Sequence, residues 1–153
     1  MRLLLLLTMR ERRSGQRPQL LLLVDDTRDL RQMWRVWLAL WRFTTAEATN
    51  GAEAITLARR LKPSLILMDL RMPHTDGAEA VEQLKRQSDT AEIPVIGVTA
   101  EHATGPRVRK FRQFCDVVLQ KPVDLDVLLQ YVRRILRRRE TPIASAPVEP
   151  IVP

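Results

Sequence analysis

The chain has 153 residues, 45% of them hydrophobic, which is enough for one domain with a buried core. Its one cysteine, Cys115, excludes an internal disulfide and is typical of a reducing compartment, so we expect a cytoplasmic protein. The net charge of +7 is carried by the two ends, in residues 1–18 (five Arg, one Glu) and 133–153 (five Arg, two Glu). Because the segment between them is neutral, we expect no direct DNA binding.

Both ends of the chain are predicted to be disordered. Residues 1–18 form a basic extension, and the five leucines of Leu3–Leu7 fall short of the roughly 7–15 apolar residues of a signal peptide and the roughly 20 of a membrane span. Met9 is an alternative start. Residues 139–153 form a proline-rich tail that is too short for a second domain. The segment 19–138 is therefore predicted to be the one folded domain.

Strand and helix signals alternate through this domain. Short apolar runs bounded by turn residues predict strands at 20–25, 43–48, 65–69, 94–99 and 117–120. Amphipathic segments predict helices at 28–42, 51–61, 77–87, 105–113 and 124–138. Pro63 ends the second helix, and Asp124 caps the last one. Five such β–α units predict an α/β fold with a doubly wound, five-stranded parallel sheet.

The first predicted helix has three faces. At 100° per residue, one apolar stripe is assigned to the core, and an arginine stripe opposite to it is expected to be solvated. The core stripe consists of Trp34, Trp37, Leu38 and Trp41, and the arginine stripe of Arg28, Arg31, Arg35 and Arg42. Met33, Val36 and Leu40 lie on the flank between the two stripes and widen the apolar surface. We interpret these three residues as a candidate partner-binding surface.

Four of the predicted strands end in side chains that can carry chemistry. The strand ends carry Asp25-Asp26, Asp69, Thr99 and Lys121-Pro122. Right-handed crossovers bring these ends to one edge of the sheet, where open α/β folds place their ligands. Three carboxylates in close contact require a compensating cation, and oxygen ligands with room for water suit Mg²⁺. A metal, an ammonium and a hydroxyl around one remaining carboxylate predict a phosphoryl-transfer site centred on Asp69.

These residues stand in the order of a known family. The matching motifs are Asp25-Asp26, Asp69 with Met72-Pro73 and Asp76-Gly77, Thr99-Ala100, Lys121-Pro122, and the helix opening Asn50-Gly51-Ala52-Glu53-Ala54. Over residues 19–138 the chain resembles the receiver domain of bacterial two-component response regulators, in particular the single-domain, chemotaxis-regulator-like members. The resemblance implies a flavodoxin-like (βα)₅ fold, Mg²⁺ as cofactor, and transfer of a phosphoryl group from a histidine kinase or histidine phosphotransfer protein.

The resemblance also implies a role for each residue of the site. Asp69 is the expected phosphoacceptor. Asp26 is the expected direct metal ligand, Asp25 acts on the metal through water, and Asp69 and the backbone carbonyl of Arg71 are further ligands. Thr99 and Lys121 are expected to bind the phosphoryl oxygens. A cis peptide is expected between Lys121 and Pro122, where proline lowers its cost.

The chain departs from the family at several positions. Val118 stands where many receivers carry the tyrosine or phenylalanine that moves with the threonine, and Phe114 stands where glycine is common. Arg71 and Glu101 follow the phosphoacceptor and the threonine by two residues, and their opposite charges are expected to pair as a gate over the site. His74 and His102 are interpreted as solvated loop residues, and Cys115 as a small buried hydrophobe.

Two other functions remain open at this point. One is a receiver-like docking module that never turns over phosphate, although Asp69, Thr99 and Lys121 are all present. The other is a phosphatase with an aspartyl nucleophile, a class that usually has a second acid two residues later, where this chain has Arg71. The leading interpretation is a switch rather than a turnover enzyme. The sequence does not identify the kinase or the downstream protein partner, and it leaves homodimer formation open.

Overall fold

A computed structural model describes residues 18–102 and 104–140 of the chain. The strands are β1 (Leu20–Val24), β2 (Thr44–Ala48), β3 (Leu65–Asp69), β4 (Val95–Thr99) and β5 (Val117–Gln120). The helices are α1 (Arg28–Leu40), α2 (Gly51–Leu61), α3 (Gly77–Arg86), α4 (Pro106–Phe114) and α5 (Leu125–Glu140). The strands lie in the order β2-β1-β3-β4-β5 and all pair in parallel. The predicted doubly wound, flavodoxin-like sheet is thereby confirmed, with element ends shifted by one or two residues.

Alternate residues of each strand enter two different cores. In β3, Ile66 and Met68 face a core that they share with α2, α3 and α4, whereas Leu65 and Leu67 face a core that they share with α1 and α5. This alternation follows from the two-residue period of a strand. Because both faces are covered, the central strands are apolar throughout and only their last residues are free to be polar.

The register of the central strands brings their polar ends together. Val24 pairs with Met68, Asp69 with Val98, and Thr99 with Gln120. The residues that directly follow β1 and β5 therefore lie on the same edge of the sheet as Asp69 and Thr99. This edge carries the carboxyl ends of the strands, as the sequence predicts.

Side-chain caps begin three of the helices. Asn50 Oδ1 accepts from Glu53 N at 2.9 Å, and the Glu53 carboxylate accepts in return from Thr49 N at 2.7 Å, an arrangement similar to a capping box. Asp76 accepts from Ala78 N at the start of α3. The predicted cap of the last helix is also found, because Asp124 Oδ1 accepts from the amides of the second and third residues of α5.

The faces of α1 differ from their prediction at two residues, Trp41 and Arg31. Trp34 and Leu38 are buried as expected, and Trp37 packs against the same core. Trp41 is half-buried, with the Arg133 guanidinium 4.6 Å from its ring centroid. The prediction that Arg31 is solvated is wrong: it is buried, its Nη1 donates to the Asp25 carbonyl at 2.7 Å, and its Nε bonds Glu47 at 3.0 Å.

The predictions for the two ends fall mainly outside the described residues. Residues 1–17 and 141–153 are not among them. Arg139 and Glu140, which the sequence assigns to the tail, are the last two residues of α5. Within the described part of the chain, every helix is too short or too polar to cross a membrane.

Candidate functional site

Three aspartates meet at the carboxyl edge of the sheet. Asp69 is the last residue of β3 and is 3% exposed, whereas Asp25 and Asp26 follow β1 and are fully buried and exposed, respectively. One carboxylate oxygen from each lies within 4.8 Å of the other two. Gly77 allows this packing, because a Cβ at that position would overlap the carbonyl oxygen of Asp69. The sequence-predicted acids are therefore brought together as one cluster.

Lys121 supplies the positive charge of this cluster. Its Nζ lies 3.0 Å from Asp69 Oδ1 and 3.1 Å from Asp25 Oδ2. Its backbone amide donates to the carbonyl of Thr99 at 2.7 Å, and the following peptide bond to Pro122 is cis. The lysine thus joins the ends of β1, β3 and β5 through its side chain and the end of β4 through its backbone.

Burial and neighbouring charges set the protonation of the two central groups. Burial raises the pKa of Asp69 to about 6; Lys121 opposes this increase, whereas Asp25 and Asp26 add to it. Burial alone would lower the pKa of Lys121, but Asp69 and Asp25 outweigh it and raise that pKa above its usual value. Three carboxylates share one ammonium here, so a further cation would favour the ionised form of Asp69.

The oxygen donors of the cluster fit a hard divalent cation. Both oxygens of Asp25 already have partners, since Oδ1 accepts from Thr27 N at 2.7 Å and Oδ2 contacts Lys121. By contrast, the Asp26 carboxylate has no hydrogen bond or ion pair to any of the described residues. The Asp26 carboxylate is thus open to solvent, Asp69 shares Lys121, and Asp25 is already occupied. This arrangement matches the few protein ligands that Mg²⁺ takes alongside water.

Thr99 completes the edge of the sheet. It ends β4, is fully buried, and its Oγ1 accepts from the Glu101 amide at 2.9 Å. The adjoining strand ends are tied by a bond from Leu70 N to the Val98 carbonyl at 2.9 Å. Because Oγ1 is the acceptor in this bond, the proton of the hydroxyl remains available for donation.

The loops after β3 and β4 meet in a network of four charged residues. Arg71 Nε lies 3.8 Å from Glu101 Oε1, and the side chain of Arg71 is 70% exposed. Arg107 approaches the same oxygen with Nη1 at 3.4 Å and also pairs with Asp76. The side chains of Arg71 and Glu101 are thus close enough to form the expected ion pair, but Glu101 also pairs with Arg107.

Arg107 is the member of this network that the sequence reasoning missed. It lies in the first turn of α4, directly after Pro106. The positive end of the helix dipole disfavours a cation there, unless acidic partners compensate. That unfavourable position is the sequence signal that Arg107 has acidic partners elsewhere in the chain, although it does not identify them.

The remaining predicted residues lie around the site without joining it. Val118 is buried in the core beneath α4, and the Phe111 ring occupies the space over Gly97, its neighbour in the sheet. His74 and His102 are exposed. Cys115 is buried, and burial raises the pKa of its thiol well above the usual range, which agrees with its interpretation as a small hydrophobe. Phe114 lies at the opposite edge of the sheet, beside a cavity of about 530 Å³.

The fold and the edge at which these side chains meet place the chain in the receiver class of signalling domains. Residues 21–133 match the response regulator receiver domain, and the chain belongs to that family. Receiver domains are signalling switches that bind Mg²⁺ at an acidic pocket.

Similar proteins are found among both curated sequences and solved structures. The Protein PilH of Pseudomonas aeruginosa is 34% identical over 116 residues, which is 76% of this chain and 96% of PilH. The DNA-binding dual master transcriptional regulator RpaA of Synechocystis sp. is 32% identical over 120 residues; the match covers 78% of this chain but only half of RpaA.

Among solved structures, the receiver domain of the sensor histidine kinase PA1611 from Pseudomonas aeruginosa has a magnesium ion coordinated in its active site cleft. It superposes with a TM-score of 0.73 at 25% identity, covering 79% of this chain and 99% of that domain.

Proposed function

We propose that the chain is a phosphorylation switch whose acceptor is Asp69. The observation that carries this proposal is the placement of Lys121 Nζ between Asp69 and Asp25, within a cluster of three carboxylates. An ammonium in that place neutralises part of the charge that an incoming phosphoryl group meets, and the one proton that faces neither Asp69 nor Asp25 is free to bind a phosphoryl oxygen. The proposed donor is a phosphohistidine on a histidine kinase or a histidine phosphotransfer protein.

The proposed transfer exchanges one bond to phosphorus for another. A carboxylate oxygen of Asp69 attacks the phosphorus in line, the P–N bond to the donor histidine breaks, and the imidazole leaves with the electron pair. Lys121 and the Thr99 hydroxyl hold the phosphoryl oxygens. Dephosphorylation restores the free carboxylate. Water attacks the same phosphorus, the P–O bond to Asp69 breaks, and inorganic phosphate is released.

The proposed metal ligands are the carboxylates of Asp26 and Asp69 and the backbone carbonyl of Arg71, with Asp25 acting through water. When bound, Mg²⁺ supplies neutralisation of the charge that develops on the phosphoryl oxygens. The proposal is supported by the raised pKa of Asp69, because three carboxylates with one ammonium lack sufficient positive charge. Asp25 is suited to its indirect role, since its two oxygens are already held by Thr27 N and Lys121.

The partner surface is proposed to be the flank of α1. Met33, Val36 and Leu40 are 43%, 55% and 65% exposed, which is unusual for three apolar side chains on one face. Helix α1 begins shortly after the Asp25–Asp26 pair, so a protein that reaches Asp69 passes close to it. The proposed occupant is an apolar helical face of the phosphodonor protein, and a cytoplasmic location follows from such a partner.

A direct measurement of phosphorylation distinguishes the proposed switch from a docking module that takes no phosphate. The protein is incubated with Mg²⁺ and acetyl phosphate, and its intact mass is measured. We expect a gain of one phosphoryl group that is absent in Asp69→Asn and in the wild type treated with a chelator. An equal mass gain in Asp69→Asn would reject Asp69 as the acceptor, and no gain in the wild type would favour the docking module.

A further inference from the structure

Arg107 ties the first turn of α4 to both loops that surround Asp69. Its Nη1 lies 3.4 Å from Glu101 Oε1 in the β4–α4 loop. Its Nε donates to Asp76 Oδ2 at 3.0 Å, and its Nη2 contacts the same oxygen, in the β3–α3 loop. One side chain therefore connects α4 to segments that are 6 residues before it and 31 residues before it along the chain.

Both acids that Arg107 holds are linked to the site by their backbones. The Glu101 amide donates to Thr99 Oγ1 at 2.9 Å, so the position of this loop fixes the hydroxyl. The Asp76 side chain caps α3 by accepting from Ala78 N at 2.7 Å. The amide of Gly77, which directly follows Asp76, donates at 2.9 Å to the carbonyl of Leu70, the residue after Asp69. The Arg107 guanidinium is thus connected, through side-chain contacts and backbone hydrogen bonds, to the Thr99 hydroxyl and to the residue after β3.

The local sequence of α4 does not favour an arginine at this position. The helix has no acid in its first turn, and a cation there opposes the helix dipole. Arg109, two residues later on the same helix, is exposed and makes no side-chain hydrogen bond or ion pair with the described residues. The two arginines therefore carry equal charge on one helix but differ in their contact with the site.

Another route from the site to α4 is closed in this chain. Val118 has no aromatic ring to rotate, and the nearby ring of Phe111 is fully buried against Gly97. Among the described residues, the charged contacts of Arg107 form a link between the loop after Thr99 and α4 on the exposed side.

We propose that Arg107 is a positioning residue of the phosphoryl site, a role that rests on the proposed phosphorylation of Asp69. It holds Glu101, and through the Glu101 amide it holds the Thr99 hydroxyl in place for the phosphoryl group. Phosphorylation adds roughly 1.5 to 2 negative charges beside Thr99. The hydroxyl then turns to a phosphoryl oxygen, the Glu101 loop follows, and the contact between Glu101 and Arg107 changes. The first turn of α4 becomes the part of the surface that reports phosphorylation.

The test compares Arg107→Ala, Arg107→Lys and the matched control Arg109→Ala. Hydrogen exchange of the Glu101 amide is measured by NMR in the unphosphorylated protein. An exposed ion pair is worth about 0–1 kcal/mol, so its loss should raise the exchange rate of the amide by up to about fivefold. We expect Arg107→Ala to speed exchange of that amide by this factor, Arg107→Lys to lie between, and Arg109→Ala to match the wild type.

A second measurement uses acetyl phosphate with Mg²⁺. Arg107→Ala should slow phosphorylation of Asp69 several-fold. The change in the NMR shift of the Val108 amide in α4 on phosphorylation should also become smaller. Arg109→Ala should alter neither the rate nor this change in shift. If Arg107→Ala and Arg109→Ala behave alike in exchange and in phosphorylation rate, the positioning role is rejected. If the wild type takes no phosphate, the proposed function fails, and the exchange experiment still decides whether Arg107 holds Glu101.

Discussion

Lys121 contacts two buried aspartates at once, with its Nζ 3.0 Å from Asp69 Oδ1 and 3.1 Å from Asp25 Oδ2. The lysine comes from the end of β5, and the aspartates come from the ends of β3 and β1. One ammonium does not balance three clustered carboxylates, and burial raises the pKa of Asp69 to about 6 despite the lysine. The fully ionised cluster is therefore destabilising, and a further cation would relieve the repulsion between its carboxylates.

Asp69→Asn should stabilise the metal-free protein in a pH-dependent way. Because the folded-state pKa of Asp69 lies above its unfolded value, the folded protein binds the proton more tightly, and stability falls as pH rises from about 4 to above 6. Asparagine does not titrate. We expect the free energy of unfolding of the variant to exceed that of the wild type by on the order of 1–3 kcal/mol near pH 7, and by little near pH 4.

Urea unfolding in a chelator at several pH values measures this difference. Asp89→Asn serves as the control of opposite sign, because Asp89 is exposed and hydrogen bonds from Lys62 and Arg59 lower its pKa. That variant should lose stability relative to the wild type as pH rises through the carboxylate range. A difference between Asp69→Asn and the wild type that does not change with pH would contradict the raised pKa.

Asp26→Ala should weaken Mg²⁺ binding. Asp26 is the exposed member of the cluster, and its carboxylate is not held by another described residue. We expect its removal to reduce Mg²⁺ affinity by about tenfold or more, or about 1.4 kcal/mol. Calorimetric titration measures the affinity, and the increase in melting temperature with Mg²⁺ should shrink in parallel.

The matched control for this experiment is Asp29→Ala. Asp29 is also exposed and acidic, but it lies in the first turn of α1 and outside the cluster. Its removal changes the net charge equally and should leave Mg²⁺ affinity near the wild-type value. Equal losses in the two variants would indicate a general charge effect and would exclude Asp26 as a ligand.

The Arg71–Glu101 pair should slow the loss of phosphate. If the pair covers the phosphoryl group, water reaches the phosphorus only when it opens. An exposed pair is worth about 0–1 kcal/mol, so Arg71→Ala and Glu101→Ala should each speed dephosphorylation by up to about fivefold. The double variant should be no faster than the faster single one. Intact-mass spectrometry after removal of the phosphodonor gives the rates.

The structure adds a ranking to this prediction. Glu101 Oε1 lies closer to Arg107, at 3.4 Å, than to Arg71, at 3.8 Å. Glu101→Ala removes both contacts and should therefore act more strongly than Arg71→Ala. Unchanged dephosphorylation in both variants would discard the gate and leave the acceptor role of Asp69 intact.

The sheet and the cluster of aspartates were predictable because both follow from short-range rules. Apolar runs that end in polar residues define buried parallel strands, and parallel strands bring their carboxyl ends to one edge. The burial of Arg31 was not predictable in this way. A helical wheel shows which residues share a face, but it does not show that Glu47 of β2 lies beside that face and bonds the arginine at 3.0 Å.

The charged network around Arg107 was missed for a related reason. Its two acidic partners are 6 and 31 residues away, and only the folded chain shows that they converge on one guanidinium. The local signal was the unfavourable position of a cation in the first turn of α4. Residues that contradict a local preference are therefore useful markers of long-range pairing.

Val36→Glu should reduce phosphotransfer from the partner protein but not from a small phosphodonor. Val36 is 55% exposed on α1, between Met33 and Leu40, so a glutamate there disturbs a protein interface without entering the core. Burying a side chain of this size contributes about 1.5–3 kcal/mol, and we expect phosphotransfer at limiting donor concentration to fall about tenfold or more. Ala39→Glu adds the same charge to an exposed position of α1 that lies next to the apolar flank, on the side of the arginine stripe, and should have a smaller effect. Both variants should accept phosphate from acetyl phosphate at the wild-type rate. Equal losses with the protein donor would show that charge on α1, rather than the apolar flank, determines recognition.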